Sequence, residues 1–318
     1  NNTPNIVTIY ATGSETINGT SGATGVAMLP YSINSYSGTV SVGWATVAAS
    51  TTAASVSTTV GGVTRTQQSK NNDVVNIKDF NPYADGVTDD YPAFLAARNS
   101  LSIRGGTIKV PAGIYKINST INYDGISVIL DGDGTSNQPT GGATTLLFAA
   151  GVVGIIMRNN VTGLGASSIV RNMKLVGSDV SAGTNDGIRL QAHAAGVDNV
   201  CVTGFGGSGI HVLSGNPSDG AINTNNFWIK NVRCNLNWLH GFFVEGLDSN
   251  IGLIENLDCS DNKQWGIYEN GFLGNTYSAP HCDNNLAGDY RIGNIGRGNT
   301  FTGAYCEIRA TTGLQFDA

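Results

Sequence analysis

Near the end of this chain a cysteine returns about every two dozen residues. Cys234, Cys259, Cys282 and Cys306 lie 25, 23 and 24 residues apart. Each closes a segment of one pattern: Asn231-Val232-Arg233-Cys234, Asn256-Leu257-Asp258-Cys259, Ala279-Pro280-His281-Cys282 and Gly303-Ala304-Tyr305-Cys306. The pattern reads as a strand with two inward residues flanking one outward residue. Two earlier copies place Val202 and Leu175 in the cysteine position. A second strand follows seven residues later, as Gly209-Ile210-His211-Val212, Gly241-Phe242-Phe243-Val244, Gly266-Ile267-Tyr268-Glu269 and Gly313-Leu314-Gln315-Phe316. Asp289-Tyr290-Arg291-Ile292 takes this place in the fifth copy, and Gly187-Ile188-Arg189-Leu190 takes it in the first at a longer offset. A fixed period of this length means a repeat architecture. Short strands joined by Gly and Asn turns, with no helix recurring, select a β-solenoid over a helical array. The expected fold is all-β, a right-handed parallel β-helix.

Stacking then assigns roles to single residues. Successive rungs lie about 4.8 Å apart, so equivalent residues form ladders along the axis. Asn199, Asn231 and Asn256 make one asparagine column, and Asn237, Asn262 and Asn285 another. Asparagine tolerates left-handed turns, and its amide can bond the next rung. The cysteine column reads as buried, reduced packing side chains. An odd total of five cysteines argues against a disulfide framework. The His and Cys spacings fit no zinc pattern, so neither metal nor cofactor is expected.

Composition supports this class. Glycine supplies 43 residues and charged residues only 13%, which leaves many turns and few solvated helix faces. The net charge is −6. Without a basic stripe, nucleic acid is excluded as a partner. No run of 18 apolar residues is present to span a membrane. The chain begins Asn1-Asn2-Thr3 and reads as an internal or trimmed fragment, with its solenoid expected to run on past residue 318.

Residues 1–70 differ from the rest. Gly38 to Thr66 is rich in Ser, Thr, Ala, Val and Gly, and Gly38-Thr39-Val40-Ser41-Val42-Gly43-Trp44 alternates as a half-buried strand does. A small β-rich module and linker are expected here, with the β-helix over 71–318 and clear rungs from about 170. One helix is expected over about 87–101. Thr88, Asp89 and Asp90 provide N-cap oxygens. Pro92 falls in the first turn. Phe94, Ala97 and Leu101 share a face, and Gly105-Gly106 ends the helix.

Residues 65–117 resemble the start of the pectate-lyase-like β-helix of bacteriophage tail proteins. The resemblance rests on Arg65-Thr66-Gln67-Gln68-Ser69-Lys70, on Asp85-Gly86-Val87-Thr88-Asp89-Asp90, and on Val110-Pro111-Ala112-Gly113-Ile114-Tyr115. Asn81-Pro82-Tyr83 departs from the shorter Gly-Ala turn usual in that family. The resemblance implies a homotrimeric tailspike. Its N-terminal module would bind baseplate or tail proteins of the virion. Its β-helix would bind bacterial surface polysaccharide, capsule or O-antigen, outside the host cell and depolymerise it. A non-catalytic receptor-binding fibre or adhesin, and a secreted polysaccharide lyase, are the alternatives. Asp85, Asp89 and Asp90 read as turn formers and caps that seal the solenoid's end.

Candidate chemistry lies on the outward columns, because inward residues only pack. On the first strand the column reads Lys174, Cys201, Arg233, Asp258, His281, Tyr305; on the second, Arg189, His211, Phe243, Tyr268, Arg291, Gln315. Sugar faces stack on rings, and hydroxyls take charged partners. Tyr268, Arg291, His281, Arg233, Phe243 and His211 are therefore the candidate substrate-binding residues. Glycoside hydrolysis needs two carboxylates about 5–9.5 Å apart, a separation of one or two rungs. The candidates are Asp283 and Glu307 on adjacent rungs, Glu245 and Glu269 after the second strand, and Asp258. The alternation points Glu269 inward among Val244 and Ile292, where burial would raise its pKa and suit a general acid. A lyase would instead use a base near a neutralised uronate, for which Arg233, His281 and Arg291 are available. Hydrolysis and β-elimination both remain open at this stage, as does a site between subunits.

Overall fold

The computed structural model describes residues 73–101, 105–135, 143–158, 167–214, 223–307 and 313–317, with short strands before residue 73. The chain forms two compact units, Asn1–Asn72 and Asp73–Ala318. In the first unit the strand pairs are antiparallel. The alternating run from Gly38 to Trp44 is not one strand. It is divided between Ser35–Thr39 and Val42–Val47, which pair with Thr39 opposite Val42. Alternation of period two runs on across an antiparallel pair of strands, so the pattern could not reveal the reversal.

The second unit is a parallel β-helix. Among the described residues it comprises a 14-stranded and an eight-stranded sheet. The long strands of the larger sheet, Ile169–Val176, Gly196–Thr203, Trp228–Asn235 and Leu253–Ser260, each bend at one residue. Asn172, Asn199, Asn231 and Asn256 stand there with φ of 57°, 52°, 51° and 52°. Asparagine takes this left-handed conformation at low cost. The amides join the column, Asn199 Nδ2 donating to Asn172 Oδ1 and Asn256 Nδ2 to Asn231 Oδ1, both at 3.0 Å. The bend divides the sheet into two wings, which with the eight-stranded sheet make three faces.

Each face contributes an inward ladder. On the first wing Leu130, Val170, Val197, Ile229, Ile254, Tyr277 and Phe301 are in register. On the second wing Leu175, Val202, Cys234, Cys259, Cys282 and Cys306 are in register, the column expected from the repeat. Ile188, Ile210, Phe242, Ile267 and Tyr290 line the third face. Almost all of these residues are fully buried. At about 25 cal/mol per Å² of apolar surface, this interior is the main source of stability.

The turn between the second wing and the third face explains three columns together. Asn237, Asn262 and Asn285 point inward and are buried. Asn262 Oδ1 accepts from Asn237 N and Nδ2, both at 3.1 Å, and its Nδ2 donates to Asn285 Oδ1 at 2.9 Å and to Cys234 O at 3.0 Å. These amides occupy the space that a side chain at Gly209, Gly241 or Gly266 would need. A Cβ at Gly241 would lie 2.7 Å from Asn262 Nδ2 and 2.8 Å from Cys259 Cβ. The small thiol, the inward amide and the glycine therefore recur as a set. Asp289 ends the column. It replaces glycine one rung beyond Gly266, and its Oδ1 accepts from Asn285 Nδ2 at 2.9 Å.

Three expectations change. The helix is Tyr91–Ser100, starting later than 87 because Asp85–Asp89 forms a strand. Its buried face is Ala93, Phe94 and Ala97, with Leu101 partly buried. The acids do act structurally. Asp85 accepts from Val87 N and Thr88 N, both at 2.8 Å. Asp89 accepts from Tyr91 N at 3.1 Å. Asp90, at the N-cap, turns its carboxylate back to Tyr83 N and Ala84 N. Secondly, regular rungs stand before residue 170 as well: the parallel ladder, expected over 71–318, begins near Val75, and its first rungs use shorter strands without the cysteine and asparagine columns. Thirdly, Cys306 is exposed at the last described rung, whereas Cys234, Cys259 and Cys282 are fully buried. Cys201 faces outward in register, yet it too is buried.

Thiol labelling tests this register. Cys201, Cys234, Cys259 and Cys282 are expected to react with a maleimide only after unfolding. Cys306 should react in the folded protein, slowly, because partial burial and its hydrogen bond to Asp289 push the thiol up to about 12. Intact mass should show one label in the native state and five in denaturant; two or more rapid native labels would contradict the ladder.

Candidate functional site

One outward residue per rung, at a rung spacing of about 4.8 Å, places neighbouring side chains at ring-stacking distance. On the eight-stranded sheet the outward column is Arg189, His211, Phe243, Tyr268, Arg291 and Gln315 in continuous register. The His211 and Phe243 rings stack with centroids 4.6 Å apart, and Phe243 and Tyr268 at 4.9 Å. The Arg291 guanidinium lies 4.5 Å from the Tyr268 ring centre and pairs with Asp317 at 2.8 Å. His240 meets both Phe243 and Tyr268 at 5.1 and 5.3 Å. The result is a half-buried aromatic strip along the axis, with an arginine at each end.

Two carboxylates clamp His211. Its Nδ1 lies 3.0 Å from Asp186 Oδ2, and its Nε2 lies 3.1 Å from Glu245 Oε1. Asp186 also accepts from Arg189 Nε at 2.9 Å and Ser208 N at 2.9 Å. Burial draws the imidazole toward the neutral form, but its bonds to Asp186 and Glu245 and their charges outweigh that, so its pKa stands above the ordinary value. Asp186 shows the converse. Burial favours its protonated form, and the hydrogen bond and charge of His211 with the charge of Arg189 overcome this and lower its pKa. His240 is brought down to about 4, by burial first and then by the charges of His211 and Arg291. It is therefore neutral, and its Nδ1 accepts from Trp265 N at 3.3 Å. Of the two carboxylates, Asp186 is 5% exposed in its side chain and Glu245 37%; Glu245 is the one a ligand can reach.

Glu269 requires a correction. Its register with Val244 and Ile292 does turn it inward, but its surroundings there are solid core and it has no exposed surface. Its carboxyl accepts from Gly271 N at 2.6 Å, from Asn275 Nδ2 at 3.2 Å and from the Tyr277 hydroxyl. Asn275 in turn donates to Ser249 O and accepts from Gly252 N. The group ties the turn after Trp265–Gly271 to the rungs on either side. Burial, partly offset by the Tyr277, Gly271 and Asn275 donors, raises its pKa to about 7. The elevation expected of a general acid is present, but a glycan outside the wall cannot touch it.

The remaining candidates lie elsewhere. Arg233, Asp258, His281 and Tyr305 follow one another along the second wing. Arg233 Nε donates to Asp258 Oδ2 at 2.8 Å, and His281 Nδ1 is 3.4 Å from Asp258 Oδ1. Asp283 and Glu307 are paired on adjacent rungs as expected, and Glu307 accepts from the Tyr305 hydroxyl at 3.0 Å. The expectation of one groove containing Tyr268, Arg291, His281 and Asp258 changes. The first two lie on the eight-stranded sheet and the last two on the second wing, and the turn carrying Asn262 separates those strands. Sequence reasoning missed Asp186, His240 and Trp265. They belong to the position just before the glycine of the second strand, where Ser208 also stands, so the repeat frame itself could have exposed that column.

The geometry defines a class: a parallel β-helix with an aromatic and ionic strip on one outer face. No family model matches the chain. Among curated proteins it is similar to the tail spike protein of Shigella phage Sf6, at 30% identity over 148 residues. That match spans 44% of this chain and 23% of the phage protein. Among solved structures it resembles the Agl-KA catalytic domain, with a TM-score of 0.54 and 18% identity over 77% of this chain and 45% of that one. It also resembles tailspike protein gp49 of Acinetobacter baumannii bacteriophage Fri1, a capsular polysaccharide depolymerase. There the TM-score is 0.50, with 12% identity over 79% of this chain and 53% of that one. The chain thus spans about a quarter to a half of the relatives it matches. At these identities the solved structures establish the shared fold, the parallel β-helix, and the sequence match ties it to a phage tailspike over part of its length.

The buried Glu269 generates a prediction with a definite sign. A carboxyl near 7 when folded, against an ordinary 4.5, binds its proton more tightly in the folded state. Its stabilising contribution is full below pH 4.5 and is lost as pH rises through 7, in total up to about 3 kcal/mol. Denaturant midpoints should fall between pH 5 and 8 in the parent, and Glu269→Gln should flatten that slope. An unchanged slope in the variant would remove Glu269 as its source.

Proposed function

We propose that this chain is the front part of a phage tailspike that binds a bacterial surface polysaccharide along the aromatic strip of the eight-stranded sheet and depolymerises it. The observation that carries this reading is the contiguity of the stacked rings of His211, Phe243 and Tyr268 with the Asp186–His211–Glu245 clamp. Rings offer the apolar faces of sugars a stacking surface, and the ions at the edges take hydroxyls. Two hydrogen bonds across one imidazole separate the carboxylates by no more than about 8 Å, within the span of inverting glycosidases. In this reading Glu245 is the carboxylate that meets the glycan. Asp186, buried and held by Arg189, orients His211, and His211 is the proton donor nearest to Glu245. Residues 1–70 are the virion-attachment module, the spike is a homotrimer, and it acts at the outside of the host cell. The partial match to a phage tail spike protein and the fold shared with a capsule depolymerase support this assignment.

A binding-only spike is the second reading. It is favoured by the saturation of Asp186, which already accepts from His211, Arg189 and Ser208.

The deciding assay uses a panel of purified capsules and O-antigens. Products are read as new reducing ends for hydrolysis and as the ultraviolet absorbance of an unsaturated uronate for elimination. Phe243→Ala and Tyr268→Ala should each weaken binding of the recognised polysaccharide about tenfold, or roughly 1.4 kcal/mol. Glu245→Gln should retain binding and lose product formation. Binding without products in the parent protein selects the second reading, and full binding by both ring variants rejects the strip.

A further inference from the structure

A second outer surface has the form of a binding site, and the strip above does not use it. Where the long strands bend, the asparagine ladder and the second wing enclose a concavity of about 430 Å³. On its floor stands the outward Cys201, 3% exposed, while Val200 and Val232 beside it turn their side chains inward into the core. Along one side stand Asn199, Asn231 and Asn256, one amide per rung. Arg233, Asp258 and His281 line the other side. A concavity on which a few polar groups converge can fix the orientation of a ligand.

The charges are not balanced toward the opening. Asp258 is engaged on both oxygens: Oδ2 accepts from Arg233 Nε at 2.8 Å, and Oδ1 accepts from Ser260 Oγ at 2.6 Å and faces His281 Nδ1 at 3.4 Å. Arg233, with a side chain 40% exposed, uses only Nε in this pair, and its two terminal amines make no hydrogen bond among the described residues. On the far side of the ladder Glu255 is paired with Lys230, and Asp198 accepts from Asn231. The acids around the groove are thus already partnered, and the free group is a guanidinium edge, whose two parallel N–H groups match a carboxylate. Asn199 bonds Asn172 and Asn256 bonds Asn231 along the axis, and these bonds do not exhaust the donors and acceptors of the amides.

From this we infer that the bend groove is a second saccharide site, and that it takes an acidic sugar. The sugar carboxylate lies on the terminal amines of Arg233, the hydroxyls meet the amides of Asn231 and Asn256, and the ring lies over Cys201. The site is independent of the aromatic strip and of any cleavage there.

The test uses the whole chain with sodium glucuronate and glucose as probes, read by saturation-transfer NMR and by titration. Glucuronate should bind and glucose should not. Arg233→Gln should weaken glucuronate binding at least tenfold. Arg233→Lys should weaken it too, because charge without the paired donors is not enough. Asn256→Gly keeps the left-handed backbone, removes one amide, and should weaken binding about threefold. Tyr268→Ala should leave glucuronate binding unchanged. Each variant's unfolding midpoint is measured beside the parent, and the conservative Arg233→Lys and Asn256→Gly decide the matter if Arg233→Gln does not fold. Equal responses to glucuronate and glucose, unchanged binding in the Arg233 and Asn256 variants, or loss of binding in Tyr268→Ala would each overturn the proposal. Since the strip is judged by polysaccharide products and the groove by a monosaccharide acid, one can fail while the other stands.

Discussion

In the turns that carry Asn237, Asn262 and Asn285, the inward amide must find its partners one rung away. Asn262 cannot be satisfied within its own turn; it takes donors from Asn237 below and gives to Asn285 above. Leaving such a group unpaired in the core would cost about 1–3 kcal/mol. The rungs from Asn237 to Asn285 are thereby fixed in height and rotation against one another. The glycines and cysteines around this column follow from it, since the amide fills the space that a larger side chain would need.

Fixing the register inside fixes it outside as well. Because Phe242 and Ile267 stack in the core, Phe243 and Tyr268 must stack on the surface. The aromatic strip therefore needs no loop to hold it, and its rings are positioned by the stiffest part of the molecule. The same logic sets the bend groove, where the left-handed asparagines keep a constant step. The ionic groups are local additions to this frame. His211 occupies a ladder position, and Asp186 and Glu245 reach it from the flanking positions.

The sequence made the frame readable because each column repeats one chemical type. Cys234, Cys259 and Cys282 announced an inward column, and Asn237, Asn262 and Asn285 a turn. The rungs before residue 170 were not legible, because their inward positions hold ordinary Ile, Val and Leu with no marker that recurs. The outward columns were read correctly as columns, but which of them meet in space was not, since that depends on the turn separating the second wing from the eight-stranded sheet. Glu269 shows the other limit. Alternation gave its direction, but only the packing of Tyr277 and Asn275 around it shows that it touches nothing outside.

The bend asparagines also bear on how the molecule carries load. Backbone hydrogen bonds between rungs run along the axis, so a push or pull in that direction is shared by every bond of a rung at once. The amide pairs Asn199–Asn172 and Asn256–Asn231 add side-chain links in the same direction at the corner, where a flat sheet would hinge. The wall is therefore stiff along its length and resists folding at its edge, as a creased panel does compared with a flat one.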